Sequence, residues 1–105
     1  MASNTEEMRQ IIKNYANDVR RSFPVQKAFL YGSYARGTAT ELSDIDVCFF
    51  MENFNGKTKT DIIIKLIELG GKYKGVFFEP NAFPVSSLYN DNPFVKEILR
   101  TGVEL

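Results

Sequence analysis

The sequence predicts an α+β fold, a two-layer α/β sandwich in which helices cover one face of a small sheet. Apolar residues recur at three- and four-residue spacing in three segments of the chain, as in amphipathic helices. Three short apolar runs between those segments have the length and composition of β-strands. Because helices and strands alternate along a chain of only 105 residues, one sheet with a helical layer is the architecture expected.

The first element is an amphipathic helix from about residue 4 to residue 21. Its cap can be any of three residues: Ser3, Asn4 or Thr5. Its buried stripe consists of apolar residues three and four positions apart: Met8, Ile11, Ile12, Tyr15, Ala16 and Val19. Pro24 ends this helix, since the residue before a proline avoids the helical conformation. The first strand is then predicted over residues 25–31.

A turn and a short helix separate the first strand from the second. Gly32 and Ser33 break the first strand, and Ser33 can cap a short helix that runs towards Arg36 and Gly37. A polar loop, residues 38–43, leads into the second strand, which is predicted over residues 44–51.

The second half of the chain holds a longer helix and a third strand. Thr60 caps this helix, and Gly70 and Gly71 end it by supplying the positive-φ residue common at helix ends. The apolar positions of the helix are Ile63, Ile64, Leu66, Ile67 and Leu69. The third strand runs over residues 76–79 and is halted by Pro80.

The chain closes with a helix and a short strand. Asn92 is a good cap and Pro93 a good first residue for the helix, and Gly102 ends it. Its buried stripe is predicted to be Phe94, Val95, Ile98 and Leu99. Residues 103–105 can add a short edge strand.

The overall charge argues against one class of partner. Thirteen basic and thirteen acidic residues give a formal net charge of zero, whereas nucleic-acid binding normally needs a basic face. No apolar stretch approaches the roughly 20 residues needed to cross a bilayer, and residues 1–10 lack an apolar signal core. We therefore expect a single cytoplasmic domain of residues 1–105, with no direct nucleic-acid binding and no membrane segment.

Cys48 is the only cysteine, and the chain has no histidine. No intrachain disulfide can form, which favours a reducing compartment. Cys48 lies within an apolar run and is interpreted as a core residue rather than a nucleophile. The lack of histidine excludes Ser-His and Cys-His catalysis and histidine-bearing zinc sites.

Asp44 and Asp46 form a candidate metal site at the start of the second strand. Side chains two residues apart on a strand emerge on the same face, here roughly 7 Å apart, while Ile45 and Val47 face the other way. Two ionised carboxylates so placed would repel each other unless a cation lay between them. Hard oxygen ligands suit magnesium or manganese, and a pair of ions can assist the transfer of a phosphoryl group.

Gly32 and Ser33 supply a candidate phosphate site. Glycine lets the backbone approach a phosphate closely, and the helix that follows presents unpaired N–H groups. Ser33 adds a hydroxyl donor, and Arg36, one turn further on, can add a charge-assisted contact. A lone Gly-Ser turn, a lone Asp-x-Asp or a lone arginine would each be unremarkable, so the prediction depends on their joint occurrence.

The combination of Gly32-Ser33, a ten-residue gap and Asp44-Ile45-Asp46 resembles the signature of the polymerase-beta-like nucleotidyltransferase superfamily. The fuller strings Gly-Ser-Tyr-Ala-Arg-Gly-Thr and Ser-Asp-Ile-Asp are similar to its minimal nucleotidyltransferase branch. The resemblance implies a palm-like small mixed sheet and transfer of a nucleoside monophosphate from a nucleoside triphosphate. It also implies two magnesium ions, with Gly32 and Ser33 on the triphosphate and Asp44 and Asp46 on metal.

The resemblance also implies a third carboxylate on the next strand. Glu79 is the acidic residue available there, as a third metal ligand or as the general base towards an acceptor hydroxyl. Phe77 shares its face by alternation, and some relatives would carry an acid at that position instead. Glu79 can equally be read as a strand-end residue facing solvent.

Three functions remain open from the sequence. The leading one is a magnesium-dependent nucleotidyltransferase that moves AMP from ATP to a protein or small-molecule hydroxyl. The second is an antitoxin-like partner of a helical toxin protein, with weak or no catalysis, since minimal members of the family are commonly paired with such a protein. The third is a sensor that binds triphosphate without turnover. Exposed aromatic residues would mark a partner interface, and the candidates are Phe54, Phe83, Tyr89 and Phe94.

Overall fold

The computed structural model describes residues 5–40 and 43–105. The elements, in chain order, are α1 (Thr5–Ser22), β1 (Val25–Tyr31), α2 (Gly32–Arg36), β2 (Ile45–Met51), α3 (Lys59–Gly70), β3 (Phe78–Pro84), a 3₁₀ helix (Val85–Tyr89), α4 (Pro93–Thr101) and β4 (Val103–Glu104). The predicted caps Ser3 and Asn4 lie outside the described residues, and Thr5 is the first residue of α1.

The strands form one mixed sheet in the order β3-β2-β1-β4. β1 is antiparallel to β2 and to β4, whereas β2 and β3 run parallel and are joined through α3. The pairing places Tyr31 opposite Asp46, and Asp46 beside Glu79. The last residue of β1, the second residue of β2 and the second residue of β3 are therefore neighbours in one row across the sheet.

Apolar residues cover both faces of the sheet. On one face α1 and α3 pack against alternate residues of β2 in the main core, which includes Tyr15, Val47, Phe49, Ile62 and Leu66. On the other face α4 packs through Val95 and Ile98 against a smaller cluster of Phe29, Cys48 and Phe50. The predicted α+β fold with a small mixed sheet and a helical layer is confirmed, and α4 adds partial cover on the opposite face. Cys48 is fully buried, as predicted for a core residue.

The predicted start of α3 is wrong, and of its predicted stripe Leu66 is buried in the core and Leu69 packs against it. Thr58, not Thr60, is the cap: its side chain accepts from the Asp61 N–H, and the Asp61 carboxylate accepts from the Thr58 N–H. Ile62 and Leu66 are the buried apolar residues of the helix, whereas Ile64 and Ile67 are more than half exposed. The sequence could not separate these alternatives, because isoleucine occupies three consecutive positions.

The predicted end of α3 is correct in position, but the predicted backbone conformation is wrong. The helix does end at Gly70 and Gly71, but Gly71 is right-handed with φ −66°. Neither Gly70 nor Gly71 is one of the described residues that have a positive φ. Gly70 instead packs closely on β3: a Cβ there would lie 3.1 Å from the ring of Phe78, closer than most Cβ contacts.

Thr58→Ala is expected to lower the free energy of unfolding by about 1 kcal/mol, because the first turn of α3 loses a reciprocal capping pair. Thr60→Ala is the matched control, since Thr60 is an exposed residue within the helix and should change stability by less than about 0.5 kcal/mol. Urea denaturation of both variants measures the difference. Equal losses would contradict the cap at Thr58.

The third strand begins and ends later than predicted. β3 spans Phe78–Pro84, so Pro80 lies inside the strand and does not halt it. Pro80 is tolerated because β3 is an edge strand and pairs on one side only. The 3₁₀ helix that follows was not predicted.

The end of the chain agrees more closely with the prediction. Pro93 is the first residue of α4, Asn92 caps it by accepting from two backbone N–H groups, and Gly102 closes it. Of the predicted stripe, Val95 and Ile98 are buried, whereas Phe94 and Leu99 are 43% and 41% exposed. Residues 103–104 form the short edge strand β4 against β1, as predicted.

An aromatic and ionic cluster fixes the segment before β3. Tyr73 donates a hydrogen bond to Asp18 of α1, and Lys72 forms an ion pair with the same carboxylate at 3.0 Å. Phe78 stacks on Tyr15 with ring centroids 4.0 Å apart, and the Tyr15 hydroxyl donates to the Leu66 carbonyl. These contacts hold the start of β3 against α1, which in turn fixes where Glu79 lies.

No helix within the described ranges is long and apolar enough to cross a membrane.

Candidate active site

Asp46 and Glu79 lie side by side on one face of the sheet. They are direct partners in the parallel pairing of β2 with β3. Strand alternation puts both on the face opposite the main core, because Ile45, Val47 and Phe78 pack in that core. The second and third predicted carboxylates are thus brought together by the register of two strands.

Burial and neighbouring charges raise the pKa of Asp46 from 3.8 to about 6. Partial burial is the largest cause, followed by the negative charge of Glu79 and a hydrogen bond with it, and then by the charge of Asp44. Arg36 acts in the opposite direction. Asp46 therefore lies within electrostatic reach of the other two predicted carboxylates and of the predicted arginine.

Gly32 packs directly against Asp46. Its φ of +71° belongs to the left-handed region, and a Cβ built on it would overlap the Asp46 Oδ2 and lie 3.1 Å from Cγ. Only glycine gives both this backbone conformation and this close approach. The predicted glycine turn and the predicted carboxylate are therefore in direct contact in the fold.

The short helix α2 carries the other predicted phosphate-binding residues. Tyr31, not Ser33, is at its N-cap position, and no side chain caps the helix, so the predicted capping role of Ser33 is wrong. Ser33 is the second residue of α2 and is partly buried. Arg36 is exposed in the last turn, and Gly37 ends the helix with φ +76°.

Asp44 directly precedes β2, and Phe77 directly precedes β3. The two positions are neighbours because these strands pair in parallel from Ile45 and Phe78 onward. The Ile45 N–H donates to the Phe77 carbonyl at 2.8 Å, which continues the parallel ladder. Asp44 is exposed, and the Phe77 side chain is 72% exposed. The position at which some relatives would carry an acid is therefore an apolar side chain open to solvent.

The residues present fit magnesium in one respect. Within residues 5–40 and 43–105, no three acidic or cysteine side chains converge as a metal cage. Magnesium, however, is usually held by one or two carboxylates together with substrate phosphates. A close carboxylate pair in which one member has a raised pKa, beside a glycine that a Cβ would clash with, suits that mode of binding.

Two further polar residues lie on the same face and were not predicted. Tyr31 stands opposite Asp46 in the antiparallel pairing, and Asn81 follows Glu79 on β3 by two residues. Burial is the largest cause that raises the pKa of Tyr31, and the charges of Asp46 and Glu79 add to it. Strand alternation could have pointed to both residues, but only with the correct register and the correct end of β3.

Comparisons with known proteins agree on one family. A family model described as "Nucleotidyltransferase domain" matches residues 12–99. Two relatives from Methanocaldococcus jannaschii, each named "Putative protein adenylyltransferase", are 28% and 30% identical; each alignment covers 87% of this chain and 86% of the relative. A solved structure titled as a "putative nucleotidyltransferase" from Sulfolobus solfataricus has a TM-score of 0.56 at 18% identity, covering 95% of this chain and 80% of that one. The structural likeness concerns the fold alone.

Proposed function

The chain belongs to the nucleotidyltransferase domain family, and we propose that it moves AMP from ATP to a hydroxyl group in a magnesium-dependent reaction. The observation that carries the proposal is the Asp46–Glu79 pair, which lies beside Gly32 and within electrostatic reach of Asp44 and Arg36. Such a transfer requires carboxylates that hold the metal and a turn that holds the triphosphate, and the fold offers a candidate for each.

The triphosphate is assigned to the turn between β1 and β2. Gly32 allows the chain to approach a phosphate without a Cβ in the way, and the Ser33 hydroxyl can donate to a phosphate oxygen. The positive charge of Arg36 acts to lower the pKa of Asp46, and we assign its guanidinium to a charge-assisted contact with the triphosphate.

Asp44, Asp46 and Glu79 are assigned to magnesium. A metal held by these carboxylates would supply positive charge to activate the attacking oxygen and to neutralise the departing pyrophosphate. The carboxylates keep that charge in place at the start of β2 and β3, where the strands fix their backbone positions.

Glu79 is also the candidate general base. It is exposed, so an acceptor hydroxyl can approach it, and it lies beside Asp46. In the transfer, the acceptor oxygen forms a bond to the α-phosphorus, the bond from that phosphorus to the β-phosphate oxygen breaks, and pyrophosphate leaves. The acceptor proton passes to the Glu79 carboxylate.

A protein hydroxyl is the proposed acceptor class. The proposal follows the printed names of the two archaeal relatives, which refer to protein adenylylation. The experiment is incubation of the purified chain with α-labelled ATP, magnesium and a lysate, followed by gel autoradiography and mass spectrometry of the labelled product. A label on protein that is lost on chelation of magnesium supports the function, and the complete lack of labelled product would contradict it.

Glu79→Gln is expected to lower transfer by roughly 10²-fold or more, since it removes the proton acceptor and a metal ligand. Phe77→Asp is the matched test of the neighbouring position, and we expect it to leave transfer within about threefold of the unaltered chain, because Glu79 and not residue 77 pairs with Asp46. Initial rates with labelled ATP measure both. Increased transfer in Phe77→Asp would place the third carboxylate at position 77 instead.

A second function, binding of a helical protein partner, is favoured by exposed apolar side chains. Among the four aromatic candidates, Tyr89 and Phe94 are 84% and 43% exposed, whereas Phe54 and Phe83 are partly buried. Copurification of a partner that persists in Asp44→Ala and Asp46→Ala but is lost in Tyr89→Ala would support binding without catalysis. Loss of the partner in the carboxylate variants would contradict it.

A further inference from the structure

Phe94 presents an aromatic ring on the face of the sheet that carries Asp46. The ring packs against two partly buried aromatic side chains: Tyr31 of β1, edge-on at a centroid distance of 5.6 Å, and Phe83 of β3, at 5.9 Å. Because β2 lies between β1 and β3, the ring of Phe94 lies over β2, the strand of Asp46. Phe94 nevertheless remains 43% exposed.

The backbone of Phe94 is fixed on both sides. Pro93 opens α4, and the Asn92 side chain accepts a hydrogen bond from the Phe94 N–H at 2.9 Å. The next residue, Val95, is buried in the smaller cluster. Phe94 is therefore a rigidly held ring with an open surface, and a rigid ring loses little conformational entropy when a ligand covers it.

Phe94 is the ring of this aromatic group that a ligand can reach. Phe50 is buried, and Tyr31 and Phe83 are partly buried. Phe83 is covered by Phe50, whose ring stacks on it at a centroid distance of 6.0 Å, and by the Lys59 Nζ, which lies 3.8 Å from its centroid. A flat ligand on this face would therefore meet Phe94.

The neighbours of Phe94 connect it to the proposed nucleotide site. Tyr31 directly precedes Gly32, and it is the partner of Asp46 in the antiparallel pairing. A nucleotide with its phosphates at Gly32 and its α-phosphate beside Asp46 can extend along this row of the sheet in two directions. The Glu79 end is assigned to the acceptor, so the Tyr31 end, where Phe94 lies, is left for the base. A nucleobase is flat, aromatic and uncharged, which suits a phenylalanine ring.

We propose that Phe94 is the stacking platform for the nucleobase of the bound triphosphate. The inference rests on the proposed function, because a base is present only if the chain binds a nucleotide. Stacking on an aromatic side chain changes the affinity for a base by about 5- to 150-fold. Every base has an aromatic face, so this contact adds affinity without selecting adenine over the other bases.

Calorimetric titration with magnesium and the α,β-methylene analogue of ATP, which cannot transfer AMP, tests the platform without requiring turnover. Phe94→Leu keeps an apolar side chain but lacks the ring, and we expect it to raise the dissociation constant of the analogue about tenfold. Phe94→Tyr keeps the ring and should bind the analogue within twofold of the unaltered chain. Leu99→Ala is the matched control, with no change expected, since Leu99 lies on the same helix and is 41% exposed. Inorganic tripolyphosphate, which has no base, should bind Phe94→Leu as well as it binds the unaltered chain.

Weaker binding of the analogue in Phe94→Leu alone, with unchanged binding of tripolyphosphate, supports the platform. If Phe94→Leu binds the analogue within twofold of the unaltered chain, the platform is overturned, the nucleotide site stands, and the exposed ring then favours a protein partner. Equal weakening of tripolyphosphate, or equal weakening of the analogue in Phe94→Tyr or Leu99→Ala, also overturns the platform, since the loss would not depend on stacking. If the unaltered chain binds neither ligand, the proposed function is overturned as well.

Discussion

Asp46→Asn is expected to lower nucleotide transfer by roughly 10³-fold or more, because it removes a charge that holds the metal, and such metal charge contributes several kcal/mol of transition-state stabilisation. Asparagine keeps the size of the side chain, so the loss reports on charge and not on packing. Initial rates with labelled ATP measure it, with circular dichroism to confirm the fold. Transfer that survives the change would remove Asp46 from the metal site.

The same variant should be more stable than the unaltered chain when no metal is present. The pKa of Asp46 is raised from 3.8 to about 6, so the folded state binds a proton more tightly than the unfolded state. Its stability contribution is fully present below pH 3.8 and is lost as the pH rises through about 6. Because Asp46 is partly exposed, the expected gain for Asp46→Asn at pH 8 is only about 1–2 kcal/mol.

Urea denaturation in the presence of a chelator, at pH 4 and at pH 8, measures this gain. Asp46→Asn should match the unaltered chain at the lower pH, where the aspartate is protonated, and exceed it at the higher pH. Asp44→Asn is the comparison, since Asp44 is exposed and should shift stability less. A loss of stability at pH 8 for Asp46→Asn would contradict a crowded carboxylate pair.

Gly32→Ala is expected to lower transfer by roughly 10²-fold or more and to destabilise the fold by about 1–2 kcal/mol. The new Cβ would overlap the Asp46 Oδ2, and the backbone at φ +71° disfavours any residue with a Cβ. Asp46 must then move away from the position that β2 gives it. Transfer rates and urea denaturation measure the two effects.

Gly56→Ala separates the two causes. Gly56 has a similar φ of +78°, but a Cβ there would meet nothing within 4 Å. It should therefore share the destabilisation that comes from backbone strain and leave transfer unchanged. If Gly32→Ala retained full transfer, the close approach of the glycine turn to Asp46 would have no part in the reaction.

The elements themselves could be predicted where local chemistry is distinctive. Asn92, Pro93 and Gly102 fixed both ends of α4, since a cap, an N1 proline and a closing glycine each suit one position. The sequence was insufficient where two residues of the same type lay close together. Two threonines near the start of α3 competed as its cap, and the reciprocal hydrogen bonds with Asp61 decided for Thr58.

The candidate site was predictable in its residues but not in its arrangement. Spacing alone placed Asp44 and Asp46 on one face, but only the register of β2 with β3 brings Glu79 beside Asp46. The contact of Gly32 with the Asp46 carboxylate depends on a tertiary approach that no sequence window contains. The sequence predicts Tyr31 only as the last residue of the first strand, and the pairing of β1 with β2 is needed to place it opposite Asp46.

The positions of the prolines have a consequence for how the sheet meets other chains. β3 forms one edge and contains Pro80 and Pro84, which have no N–H to offer to an added strand. β4 forms the other edge and is only two residues long, with Glu104 exposed and paired with Lys27. Both edges are thus poor templates for strand addition, the usual route to β-aggregation. We therefore expect other protein chains to contact this fold through side chains rather than by extending its sheet.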